Sequence, residues 1–371
     1  MAREMTTRER FVGVLTGREV DRAPFIKLFG GTSHVIPSWK DRYPHLATYI
    51  DELLRFEGTY RGWNIAPVNF GVCGAPPNTL ISENDVETVI RTGIGGVEIR
   101  RKGDFHSHIA EFPVKGWDEW IEIKEKYLDP EDPRRFPKGW KHYVEMYAQR
   151  TYPLQLTCGG VYGFVRNLLG DESLMYMFFD DEALVFDIIG TYICMCLKLW
   201  GKLVRDIDFD LIECWEDMCF KSGCLVSPAL FEKFLAPNFR KIRDFADENG
   251  IPLVLVDSDG NTEELTGWMT KAGVNALYPF EVQAGNDVAA ILDRYPDLGC
   301  LGGLDKNSMA HGKREMDIEI EKAEYLLKKG RYIPGPDHFV LSDVSFENYQ
   351  YFMNKLREVV ICTKPGFNAK V

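Results

Sequence analysis

No apolar run reaches the roughly 18 residues that a helix needs to span a bilayer. The first residues, Met1 to Phe11, carry charge with no apolar segment behind them, so no export leader is expected and the cytoplasm is the expected compartment. Basic residues are outnumbered: 44 Lys and Arg stand against 56 Asp and Glu, for a net charge of -12 and a pI near 5.2. Such a field repels phosphate backbones and anionic lipid, which excludes nucleic acid and membranes as expected partners. The nine cysteines include no C-x-x-C pair, and their odd number argues against a disulfide framework. They read as reduced thiols, most of them small buried hydrophobes. Cys194 and Cys196 lie in a helical stretch, where positions i and i+2 point about 200° apart, so they are not expected to share a metal. Phosphate-loop, dinucleotide-fingerprint, H-E-x-x-H and nucleophile-elbow signatures are missing too.

What is present is apolar material, with 45% hydrophobic and 13% aromatic residues, which excludes disorder as a description of the whole. A chain of 371 residues allows either two average domains or one α/β barrel with insertions. From residue 150 onward, short apolar runs ending in polar or Gly-rich turns alternate with amphipathic stretches, the pattern of βα units on a parallel sheet. Strands are expected at 153–157, 209–213, 251–256, 274–278, 298–302 and 332–333, with two more at 24–29 and, weakly, 61–66. Ser227-Pro228 opens a helix whose stripe runs from Leu230 to Phe245 and which Pro237 is expected to kink. A final helix carries Phe346, Tyr349, Phe352, Leu356 and Val360. The glycines at 93, 95 and 96 mark a β-hairpin insertion over 86–103. Eight βα steps amount to a (β/α)8 TIM barrel, read as one domain over 1–371, with its active site at the C-terminal ends of the strands.

Those ends are acidic. The apolar run 251–256 stops at Asp257-Ser258-Asp259-Gly260-Asn261. Glu213, with Glu216 and Asp217, Glu281, Asp305 and Asp337-His338 end the others. A single such residue usually caps a helix or faces solvent, but five strand ends sharing one mouth repel one another unless a cation, a proton or a basic ligand compensates. Asp257, Asp259 and His338 are therefore the candidate metal ligands, suited to zinc or another divalent ion, and with Glu281 they form the candidate catalytic set. Glu213, Glu216, Asp217, Asp305 and Asp337 are the candidate substrate-binding residues. His106 and His108 read as a surface pair on the hairpin.

The order of several motifs resembles the uroporphyrinogen decarboxylase superfamily, which includes cobamide-dependent methyltransferases. These motifs are Thr6-Thr7-Arg8-Glu9-Arg10, Asp21-Arg22-Ala23-Pro24, Glu216-Asp217-Met218 with Ser227-Pro228, the Asp257–Asn261 loop, Leu301-Gly302-Gly303-Leu304-Asp305 and Pro334-Gly335-Pro336-Asp337-His338. The resemblance implies the barrel. Its decarboxylases grip carboxylates with an arginine-rich loop after the first strand, where this chain reads Ile26-Lys27-Leu28-Phe29-Gly30-Gly31, so the methyltransferase branch is the closer one. In the thiol-methylating members a His-x-Cys-Gly and a later Cys bind zinc; those places fall on Asp257, Asp259 and near Asp337-His338, which offer oxygen and nitrogen instead. The implied activity is methyl transfer between a small methylated substrate, a methyl ether or methylamine, and a corrinoid protein. Decarboxylation of another acid, or a non-catalytic corrinoid-binding accessory role, are the alternatives. The oligomeric state is open, a homo-oligomer included.

Overall fold

The computed structural model describes residues 3–102 and 107–367. Its strands, in chain order, are β1 (Asn64–Ile65), β2 (Thr79–Glu83), β3 (Glu87–Arg91), β4 (Val97–Arg101), β5 (His108–Glu111), β6 (Leu154–Cys158), β7 (Leu211–Trp215), β8 (Cys219–Phe220), β9 (Gly223–Cys224), β10 (Leu253–Asp257), β11 (Ala276–Tyr278), β12 (Gly299–Leu304) and β13 (Tyr332–Pro336). Seven of them form one curled parallel sheet in the order β1-β6-β7-β10-β11-β12-β13. Helices and neighbouring strands bury both faces of the sheet, so β10 is a run of leucine and valine, and β10, β11, β12 and β13 are buried at every position.

Eight strands in a closed ring were expected; among the described residues the ladder has seven and does not close between β13 and β1. The stretch 24–29 is buried and ends in a turn at Leu28 and Phe29, and it pairs with no strand. Pro24 removes one donor, and Leu28 sits at φ 47°, outside the extended region a ladder needs. The stretch still occupies the gap: the Leu28 N–H donates to the Arg61 carbonyl at 3.1 Å, and the Leu28 side chain packs over Gly335 of β13. The hairpin expected at 86–103 is present as β3–β4, but it is the middle of a four-stranded antiparallel sheet, β2-β3-β4-β5, whose outer strands are mostly exposed. His108 lies exposed on β5, and His106 falls outside the described residues.

The helix begun by Ser227, whose hydroxyl accepts from the Leu230 N–H, does not simply kink at Pro237. A π-helical turn over Phe231–Leu235 precedes it, widening the ladder just ahead of the residue that cannot donate. Among the described residues one helix, Glu182–Leu203, is long and apolar enough to cross a membrane by length and composition, and 56% of its most apolar window is buried inside the protein. The parallel register sets Trp215, Asp257 and Tyr278 side by side, and Leu304 beside Pro336. The residues that follow each strand therefore leave the sheet at one rim.

Candidate active site

At that rim Asp217, Asp257 and Asp259 each bring a carboxylate oxygen within 4.8 Å of the others. Asp257 is the last residue of β10 and is buried; its carboxyl is held well above the usual range by burial, against the pull of Arg61 and with Glu213, Asp217 and Asp259 adding to the rise. Asp217, two residues past β7, has its carboxyl pushed up to about 6 by burial and by Asp259. Its backbone is in the left-handed region at φ 42°, a conformation that costs a non-glycine residue about 1–3 kcal/mol and is kept only where the surroundings enforce it. Here the Asp217 carbonyl accepts from Arg166 Nη1 at 2.7 Å and its Oδ1 from the Asp259 N–H at 3.3 Å.

Two of the three expected metal ligands, Asp257 and Asp259, are thus neighbours, and Asp217 is the third member of the cluster. His338 adjoins it: Nε2 is 3.3 Å from Asp259 Oδ2, and the ring stacks on Phe29 at 5.2 Å between centroids. Phe339 meets both rings edge-on.

Two cations face the cluster: Arg166, whose Nη1 is 3.8 Å from Asp217 Oδ2, and Arg61, which answers Asp257. Arg61 Nη1 lies 3.1 Å from Asp257 Oδ2 and donates to the Tyr278 hydroxyl at 2.8 Å, while its guanidinium lies over the Phe29 ring at 4.8 Å. The Tyr278 hydroxyl in turn donates to Glu213 Oε1 at 2.6 Å, and Gln155 Nε2 donates to Glu213 Oε2 at 2.8 Å. Burial raises the Glu213 carboxyl despite these donors. Sequence reasoning missed Arg61, Tyr278, Gln155 and Phe29. The one local signal was a lone arginine between Tyr60 and Trp63 at the start of the weakest strand; its carboxylate partner is 196 positions away.

The remaining expected residues are braces around this centre. Glu216 is fully buried, and its carboxyl accepts from the N–H groups of Val161, Tyr162 and Gly163 at 2.8, 2.7 and 3.1 Å, capping the helix Val161–Leu169. Burial nevertheless lifts it to about 8. Asp337, also buried, accepts from the N–H groups of Val282 and Lys306 at 2.8 and 3.0 Å and ties the β11, β12 and β13 loops together; burial lifts it to about 6. Glu281 accepts from the Gly260 N–H at 2.9 Å and pairs with Lys306 at 3.1 Å, fixing the loop that carries Asp259. Asp305 closes a turn on Asn307 and accepts from Gln283 at 2.8 Å. A cavity of about 660 Å³ opens at the opposite end of the strands, around Arg8, Asp208, Asp210 and Pro252, where a barrel's residues serve stability; the carboxylate cluster lies at the other end, and the chemistry is assigned there.

Three carboxylates of which two are raised in pKa can hold a hard divalent cation or a shared proton, with the His338 imidazole at their edge. No protein-family model and no curated protein matches the chain. Among solved structures it is similar to a methyltransferase from Methanosarcina mazei, with a TM-score of 0.59 at 14% identity over 96% of this chain and 99% of that one. That likeness is one of fold. A putative vitamin-B12-independent methionine synthase from Listeria monocytogenes aligns at a TM-score of 0.32 and 9% identity over 59% of this chain and 68% of that one, too distant to carry an argument.

Proposed function

We propose that the chain is a methyltransferase moving a methyl group between a small methylated substrate, a methyl ether or methylamine, and the cobalt of a corrinoid protein, at the mouth of a (β/α)8-type barrel. The observation that carries this reading is the approach of Asp217, Asp257 and Asp259 to within 4.8 Å at the rim where barrel enzymes keep their chemistry. An unassisted alkoxide or amide is a poor leaving group, so the heteroatom that loses its methyl needs a proton or a Lewis acid. The fold of the Methanosarcina mazei methyltransferase, shared over nearly the whole length, supports the same reading.

The donor set suits a divalent cation: carboxylate oxygens are hard ligands, and His338, beside Asp259, adds the nitrogen that zinc favours. When bound, such an ion supplies Lewis-acid stabilisation of the leaving oxygen or nitrogen. Asp217 can hold a proton up to about pH 6, Arg61 and Tyr278 orient Asp257 and Glu213, and the Glu281–Lys306 pair steadies the Asp259 loop. Phe29, His338 and Phe339 form an aromatic cluster beside Asp259.

Arg61 favours a second reading, decarboxylation of another acid, because a guanidinium among carboxylates can meet a substrate carboxylate while Asp217 delivers the proton. The deciding experiment mixes purified protein of measured metal content with cob(I)alamin and a panel of methyl ethers, amines and thioethers, and follows methylcob(III)alamin by absorbance. Methylation by one donor class, lost in Asp259→Ala, is expected. Carbon dioxide release without corrinoid would establish the second reading, and tight corrinoid binding with no turnover an accessory role. If no donor methylates cobalt, and Asp257→Ala and His338→Ala leave metal content unchanged, the methyltransferase reading fails.

A further inference from the structure

Cys219 and Cys224 face each other across the two-stranded hairpin β8–β9, in the register Cys219↔Cys224 and Phe220↔Gly223. One step further out, the Met218 carbonyl accepts from the Leu225 N–H at 2.9 Å, so Met218–Leu225 is a hydrogen-bonded pair. Antiparallel ladders alternate, which makes Cys219–Cys224 the non-hydrogen-bonded pair, whose Cα atoms stand about 4.5 Å apart. That is within the roughly 4.4–6.8 Å window a disulfide requires. The two Sγ atoms already touch at 3.1 Å as thiols.

The hairpin begins two residues after Asp217 and lies on the Asp257–Asp259 loop. The Phe220 carbonyl accepts from the Asn261 N–H at 2.9 Å, the Met218 N–H donates to Ser258 Oγ at 3.3 Å, and a Cβ at Gly260 would stand 2.4 Å from the Cys219 carbonyl oxygen. Cys224 is half-buried and reachable from solvent, whereas Cys219 is 6% exposed. The other cysteines offer no equivalent pair in reach: Cys158, Cys196 and Cys214 are together but fully buried, Cys73 and Cys300 are buried, and Cys194 and Cys362 are exposed.

We infer that Cys219 and Cys224 are an oxidant-responsive dithiol that closes to a disulfide without backbone rearrangement, stapling together the two strands of the hairpin that packs on the Asp257–Asp259 loop. With hydrogen peroxide as oxidant the step balances. Cys224 Sγ attacks one peroxide oxygen, the O–O bond breaks, and one water leaves with a sulfenic acid formed; Cys219 Sγ then attacks Cys224 Sγ, the S–O bond breaks, and a second water leaves. Two thiols lose two electrons and two protons, and the peroxide is reduced. The thiol that opens the reaction is the accessible one, and the resolving thiol is held beside it. In a reducing compartment such a pair is closed only under oxidative stress.

The test treats the full-length protein with stoichiometric hydrogen peroxide, quenches it, alkylates with N-ethylmaleimide under denaturing conditions and maps the peptides. Nine alkylated cysteines are expected before oxidation and two fewer after it, with Cys219 and Cys224 cross-linked to each other, and dithiothreitol restores all nine. Trypsin cutting after Lys221 leaves fragments that separate only on reduction. Cys224→Ser is expected to abolish the loss; should that variant not fold, the wild-type peptide map decides alone. Full alkylation of Cys219 and Cys224 after oxidation, or missing thiols that map to any other pair, overturns the inference.

Discussion

Asp217 ties the candidate chemistry to the stability of the fold. Its carboxyl sits at about 6 in the folded protein because burial and Asp259 disfavour its charge, against 3.8 in the unfolded chain. Between these values the folded state holds a proton that the unfolded state has released, so this contribution is fully present below pH 3.8 and is lost as pH rises through about 6. The two pKa values differ by about two, each worth about 1.36 kcal/mol, which makes the loss about 3 kcal/mol. The side chain is 22% exposed, so burial, and not solvent screening, sets this scale. Asp217→Asn cannot release the proton. Its urea midpoint, followed by tryptophan fluorescence, is expected to gain on the wild type across pH 4 to 7, until the variant is the more stable by up to about 3 kcal/mol at pH 7. A divalent ion that takes the proton's place should recover the wild-type loss at pH 7 and do nothing for the variant. Wild type and Asp217→Asn running parallel from pH 4 to pH 7 would refute the argument, since burial would then not be holding a proton at this position.

Two other substitutions test the braces around the site. Glu216→Ala strands three buried N–H groups at the start of the helix Val161–Leu169, and about 3–5 kcal/mol of stability should disappear in the same urea assay, with Glu216→Gln intermediate. Gly260→Ala places a methyl 2.4 Å from the Cys219 carbonyl at a backbone φ of 82°; divalent-ion affinity by calorimetry should fall at least about tenfold as the loop between Asp259 and the hairpin is pushed apart, and unchanged affinity would separate that loop from the metal reading.

Much of the parallel sheet is legible locally. Six expected strands overlap β6, β7, β10, β11, β12 and β13, five of them within two residues at both ends, because a buried parallel strand is a short apolar run bounded by turn residues, and both signals are contained in a few consecutive side chains. Asp257 and Asp259 are legible for the same reason: two carboxylates directly after a run of Leu and Val have no local cap to satisfy. The other acidic strand ends look alike in sequence, yet they part company in space. Asp217 enters the cluster, whereas Glu216, its neighbour, turns under the sheet to hold a helix, and Asp337 binds two loop N–H groups. Which way a carboxylate points depends on which donors the packed loops bring to it.

By itself, then, the sequence determined the repeated βα units, the acidic rim and the position of Asp257 and Asp259, all products of periodicity and turn chemistry acting over a handful of residues. Only the tertiary structure decided that Arg61 is the counter-charge of Asp257, that residues 24–29 fill a gap without joining the ladder, and that Cys219 touches Cys224. Each of these is a pairing fixed by register or by burial between separate segments. Side chains that answer one another across the fold leave no periodic mark in the chain, because what selects them is the desolvation of one group by the packing of another.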